Sequence, residues 1–64
     1  MQETIKLYRG ESYVMIHSFQ TAAGYTVGVT SSDGKDDAFF NVPSKEDVLQ
    51  IVKAFKLTGL VEKN

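Results

Sequence analysis

Seven consecutive residues, SSDGKDD from Ser31 to Asp37, hold a dense set of groups that could do chemistry. Carboxylates, hydroxyls and a lysine surround one glycine. Two chemistries use such a set: a backbone cradle with a lysine for phosphate, and clustered carboxylates for calcium. A phosphate loop needs four residues between its glycines, Ser or Thr after the lysine, and a helix directly behind. In GVTSSDGK five residues separate Gly28 from Gly34, Asp36 follows Lys35, and a strand pattern comes next. A calcium loop needs ligands at alternating positions and a closing Glu. Asp33, Asp36 and Asp37 offer neither. The stretch therefore reads as a solvated corner whose charges blunt edge-to-edge association. Asp33-Gly34 suits the positive φ of a type I′ hairpin turn.

The remaining reactive residues are sparse. His17 is the only histidine and there is no cysteine. Disulfides, thiolate nucleophiles and cysteine-based zinc sites are thereby excluded. A triad or a histidine metal site needs partners within hydrogen-bond reach, and His17 lies mid-strand among apolar residues, where a structural role is the plainer reading. The serines have no nucleophile-elbow motif around them. Asp36 and Asp37 are adjacent on a loop with nothing to desolvate them for acid–base work. A chain this short is also expected to have little volume for a water-excluded pocket. These residues point away from catalysis: no enzyme, no cofactor, no metal and no small-molecule substrate is expected.

The totals agree with a compact binding protein. Sixty-four residues are read as a single domain, 1–64. A domain of this size buries only about 60% of the surface its unfolded chain exposes, so a second copy or another partner would add stability. The formal net charge is −1, whereas proteins that live on phosphates usually carry a basic excess. No 18-residue apolar run suggests a membrane span, and MQETIKLYRG has no signal-peptide core. A cytoplasmic location without membrane association is the expectation.

The elements that would position these residues follow from periodicity. TIKLYR, 4–9, alternates Ile5 and Leu7 against Thr4, Lys6 and Tyr8, a half-buried strand. RGES reads as a hairpin connection. SYVMIHSF, 12–19, is apolar on both alternating sets: Tyr13, Met15, His17 and Phe19 against Val14, Ile16 and Ser18. Such a strand is central, or has its second face partly covered. QTAAG is a small-residue loop. GYTVGVT, 24–30, and AFFNV, 38–42, complete a second hairpin. Pro43 ends the ladder, Ser44 caps a helix, and Asp47 stands three residues on in a capping-box-like arrangement. Val48, Ile51, Val52 and Phe55 form one stripe with Leu49 at its edge; Ala54 and Leu57 lie off it. Gly59 at C′ and Leu60 at C″ predict a Schellman stop against Phe55, for a helix over 45–58. VEKN reads as a polar tail.

The fold predicted is α+β: a four-stranded antiparallel meander followed by one C-terminal helix packed on one sheet face (β-β-β-β-α). One helix covers one face. The other then carries much of Tyr8, Tyr13, Met15, His17, Phe19 and Phe39, more apolar surface than a small monomer normally leaves wet. The candidate partner-binding residues are Tyr8, Tyr13, Met15, Phe19 and Phe39 with Lys6 at the rim. Should Tyr13, Met15, His17 and Phe19 instead face the helix, Val14 and Ile16 become the exposed set and the site shifts by one register.

The stretch GYTVGVTSSDGKDDAFFNVPSKEDVLQIVKAF resembles, in layout, small DNA-binding domains that set a three-stranded sheet against a C-terminal helix, such as the Apetala-2 and integrase arm-binding domains. Those read DNA with Arg and Trp on the sheet; here the corresponding strands carry Thr26, Gly28, Thr30, Phe39 and Asn41. The order of four strands and a helix is also similar to the single-strand-binding fold of the positive-cofactor-4 coactivators, which dimerise. No functional residue is carried over from these layouts; the residues themselves offer an alternative reading in which Tyr8, Tyr13, Phe19 and Phe39 form a stacking platform for single-stranded nucleic acid, with Lys6, Arg9 and Lys35 near the phosphates. The charge balance favours a protein partner. The expectation is a small non-enzymatic module that binds a protein, itself or another, as a regulator or inhibitor that occludes its partner. A viral or mobile-element origin would suit that role. A third possibility is a structural subunit whose open sheet edge pairs with another chain.

Overall fold

A computed structural model describes residues 2–34 and 37–62. Lys35 and Asp36 lie outside them, and with them part of the phosphate and calcium patterns weighed above. Lys63 and Asn64 of the tail also lie outside.

The strands are β1 (Gln2–Arg9), β2 (Ser12–Thr21), β3 (Gly24–Ser31) and β4 (Asp37–Val42), followed by helix α1 (Lys45–Leu57) and a two-residue strand β5 (Val61–Glu62). They form one antiparallel sheet in the order β4-β3-β2-β1-β5. This is the α+β meander with a helix on one face. The addition is β5. The tail read as polar returns beside β1, with Leu7 opposite Glu62 and Tyr8 opposite Val61.

Short loops set the register. Gly10, at φ +62°, follows Arg9 in a two-residue connection closed by the Arg9–Ser12 pair; glycine is the residue that takes this conformation without strain. The Ser31–Asp37 connection departs from the expected type I′ turn. Among the described residues no non-glycine has positive φ, so Asp33 is not left-handed. Instead Gly34, at φ +71°, donates its N–H to Ser31 O at 3.1 Å. Asp33 is thus the third residue of the turn and Gly34 the fourth, because only the glycine takes the left-handed position cheaply.

Ile5 and Leu7 pair with Ile16 and Val14, so the aliphatic set of β2 turns to the helix. The core joins Leu7, Ile16, Val27 and Val29 from the sheet to Val48 and Val52 of α1 and to Leu60. Ile51 and Phe55 pack at its margin, while Leu49 and Leu57 are exposed. Both helix ends are closed. Ser44 Oγ accepts from the Asp47 N–H at 3.4 Å and donates to Asp47 Oδ2 at 2.9 Å. The helix stops at Leu57 with Thr58 as its cap, and the Gly59 N–H bonds Lys56 O at 3.1 Å, the inner bond of a Schellman stop. Arg9 donates from its guanidinium to Thr58 O, tying the end of β1 to the negative end of the helix. Lys45 and Glu3 pair at 2.7 Å at the other end.

Candidate interaction face

The side of the sheet away from α1 is built by the alternate residues of four strands. Cross-strand pairing sets Phe39, Gly28, His17 and Thr4 in one row. Asp37, Thr30, Met15 and Lys6 form the next, with Tyr13 and Tyr8 beyond, and Asn41, Thr26, Phe19 and Gln2 on the other flank. All six sequence-predicted residues, Lys6, Tyr8, Tyr13, Met15, Phe19 and Phe39, therefore share this face.

They do not form one platform. At one end the Tyr8 and Tyr13 rings lie 5.9 Å apart at 56°, and Lys6 Nζ sits 4.1 Å from the Tyr13 centroid and 5.5 Å from that of Tyr8. The cation is held over two π-faces, a contact worth about 0.5–1 kcal/mol at an exposed site. Toward the other end Phe19 is 42% exposed and Phe39 76%. They stand on β2 and β4, roughly 12 Å apart on the diagonal, with Thr26 and Gly28 of β3 between them. Met15 and His17 join the two groups. His17 Nδ1 lies 3.0 Å from Thr4 Oγ1 across the strands, a partner that orients the ring.

The acidic corner closes on itself. Ser31 Oγ donates to Asp33 Oδ1 at 2.6 Å, and Ser32 Oγ accepts from the Tyr13 N–H at 3.1 Å. Among the described residues no group of three or more His, Asp or Glu side chains could hold a metal ion.

The helix side holds a feature that sequence reasoning missed. A cleft of about 390 Å³ lies against the edge strand, lined by Val14, Val29, Ser31, Asp37, Ala38, Phe40 and Phe55. An adjoining one of about 480 Å³ shares Val14, Ser31 and Phe55 and reaches Arg9 and Thr58. Both are open grooves, not water-excluded pockets. Val48 and Val52 bury the middle of α1, and beside Phe55 the sheet near the corner stays open. Ala38 carried the signal: a small residue next to Phe39 and Phe40 leaves a gap on its own face.

No protein-family model, curated protein or solved structure matches the chain. No helix of the described residues is long and apolar enough to cross a membrane.

Proposed function

We infer that this chain is a small non-enzymatic protein-binding module, a regulator or inhibitor that occludes a partner through the helix-free sheet face. The observation that carries the reading is that one face of a one-helix domain gathers Tyr8, Tyr13, Met15, Phe19 and Phe39 while the buried core lies on the other. Aromatic residues and methionine are enriched where proteins meet, and rigid rings lose little entropy on contact. Lys6, already over two rings, acts as part of an aromatic patch rather than as a free phosphate ligand. The separation of Phe19 from Phe39 and the net charge of −1 also favour protein over single-stranded nucleic acid. A cytoplasmic setting suits a cysteine-free chain.

The test is paired affinity capture with the native chain and with Tyr13→Ala/Phe19→Ala, followed by NMR titration of the labelled chain with the captured protein. Shifts confined to the open face, lost in the double variant while the helical circular dichroism persists, support the reading. Shifts on α1 or the cleft would overturn it. Binding of single-stranded DNA that weakens steeply with salt would replace the protein partner with nucleic acid.

A further inference from the structure

The two edges of the sheet differ. Beyond β5, the β1 edge runs through Gln2, Glu3, Thr4, the half-buried Ile5 and Lys6, with Glu3 paired to Lys45. The β4 edge presents Ala38, Phe39 and Phe40 in succession, all exposed, with Asp37 its one charge. No described strand lies beside it. Edges are normally protected by charge, proline or cover, and here Pro43 comes only after the strand has ended.

The phase of the ladder shows which groups that edge offers. The Ser32 N–H bonds Tyr13 O at 2.9 Å, which makes Tyr13–Ser32 a hydrogen-bonded pair. Alternation then points the backbone groups of Tyr25, Val27, Val29 and Ser31 toward β4. On β4, Ala38, Phe40 and Val42 bond back to β3, and Asp37, Phe39 and Asn41 turn their N–H and C=O outward. The same phase makes Gly28–Phe39 a non-hydrogen-bonded pair, in which side chains stand closest. That agrees with the Phe39 ring lying against Gly28.

We propose that β4 pairs antiparallel with β4 of a second copy, Phe39 opposite Phe39, across a two-fold axis normal to the sheet. Such an axis reverses the strand and preserves its faces, so the contact is isologous and closes. Centring on Phe39 sets Asp37 against Asn41 and engages every outward residue of β4, each pair exchanging both of its bonds. Centring on Phe40 would set Asp37 against Pro43, which has no N–H. Centring on Ala38 would pair Asp37 with Phe39 and leave Asn41 past the strand end. The side chains select the same register. On the open face each Phe39 ring stays over Gly28 of its own copy and flanks the axis, and each Asp37 carboxylate meets an Asn41 amide instead of a second carboxylate. On the helix face Ala38 receives the Phe40 ring of the second copy, small against large, at the wall of the 390 Å³ cleft. This inference is independent of the partner reading: a chain that never dimerises could still bind through its aromatic face.

Sedimentation equilibrium of the full chain from micromolar to millimolar concentration tests it. The mass is expected to rise from 7.1 kDa to twice that value and stop. Two variants are expected to weaken the association at least tenfold and to retain the helical circular dichroism. One is the chain made by synthesis with an N-methyl group on Phe39, which blocks an outward N–H and no bond to β3. The other is Ala38→Lys at an exposed position, and it decides the matter should the first not fold. In a dimer mixed from labelled and unlabelled chains, NOEs are expected between the Ala38 methyl and the Phe40 ring. A monomeric mass throughout, growth beyond the dimer, unchanged association in the folded variants, or intermolecular NOEs elsewhere would each overturn the proposal.

Discussion

The Phe39 ring lies across Gly28 on the neighbouring strand: a Cβ placed on Gly28 would meet Phe39 Cε1 at 2.7 Å and Cδ1 at 3.2 Å. The glycine is buried although its cover is 76% exposed. A strand glycine has no side chain to pack and weakens its sheet, and the ring supplies that packing from the next strand. Gly28→Ala pushes the ring away, and Phe39→Ala uncovers the glycine. Each is expected to destabilise by about 1 kcal/mol, and the pair to couple by about 0.5–1 kcal/mol in a double-mutant cycle by urea unfolding. Additive costs would show that the contact contributes nothing. The Gly28 Hα resonances should also lie upfield in the native chain and return toward ordinary values in Phe39→Ala.

Gly24 and Gly10 both have positive φ, at +137° and +62°, yet their surroundings differ. A Cβ on Gly24 would fall 2.4 Å from Val42 O and 2.9 Å from Pro43 Cα, both backbone, whereas Gly10 has nothing within 4 Å. Gly10→Ala is expected to cost about 1 kcal/mol, from the left-handed conformation alone. Gly24→Ala adds a backbone clash and is expected to cost about 3 kcal/mol or more. Equal midpoints in thermal unfolding would mean that β4 can leave the sheet freely at Pro43.

Leu7 is fully buried and Leu57 is 79% exposed. Leu7→Ala is expected to cost about 3 kcal/mol, a large share of what so small a domain has. Leu57→Ala should stay within about 0.5 kcal/mol. Denaturant curves on the two variants check this. A cost at Leu57 comparable to that at Leu7 would place it in a contact between copies.

Ser44 is the sole side-chain cap at the start of α1 among the described residues. Ser44→Ala should cost about 1 kcal/mol, and Ser44→Asp much less, since aspartate caps as well as serine. Helical circular dichroism during urea unfolding reads both. An unchanged Ser44→Ala would mean that packing of Val48 and Val52 alone holds the first turn.

The aromatic end of the open face gives a further prediction. Lys6→Met keeps the stem and removes the charge from above Tyr8 and Tyr13, and should cost less than about 1 kcal/mol. Tyrosine fluorescence should change more than the unfolding midpoint does. A large loss of stability with unaltered tyrosine emission would count against the stacked arrangement.

Much of this architecture could be read from the chain because the signals were local. Alternation in TIKLYR and GYTVGVT, the cap at Ser44, the helical stripe of Val48, Ile51, Val52 and Phe55, and the stop at Gly59 each depend on neighbours within a few positions. β5 was not legible, since Val61 and Glu62 are too few to show a period. The corner differs in detail from a type I′ turn because Asp33-Gly34 is compatible with two turns. Among its described residues Gly34 is the left-handed one, at the position that the Ser31–Gly34 hydrogen bond defines.

Local sequence set β1 to β4 and α1, their order and the two alternating sets of β2, because side-chain period and capping chemistry are properties of adjacent residues; β5 needed the assembled sheet. Tertiary structure alone decided which set is buried. Pairing of Ile5 with Ile16 and Leu7 with Val14 continues one aliphatic layer under Val48 and Val52, and that leaves Tyr13, Met15, His17 and Phe19 outside. It also decided that Lys6 caps two tyrosines, that Phe39 covers Gly28, and that a cleft opens beside Ala38. Those relations join residues from different strands. Only the register of the assembled sheet brings them within contact distance, and a one-residue slip would reverse every face.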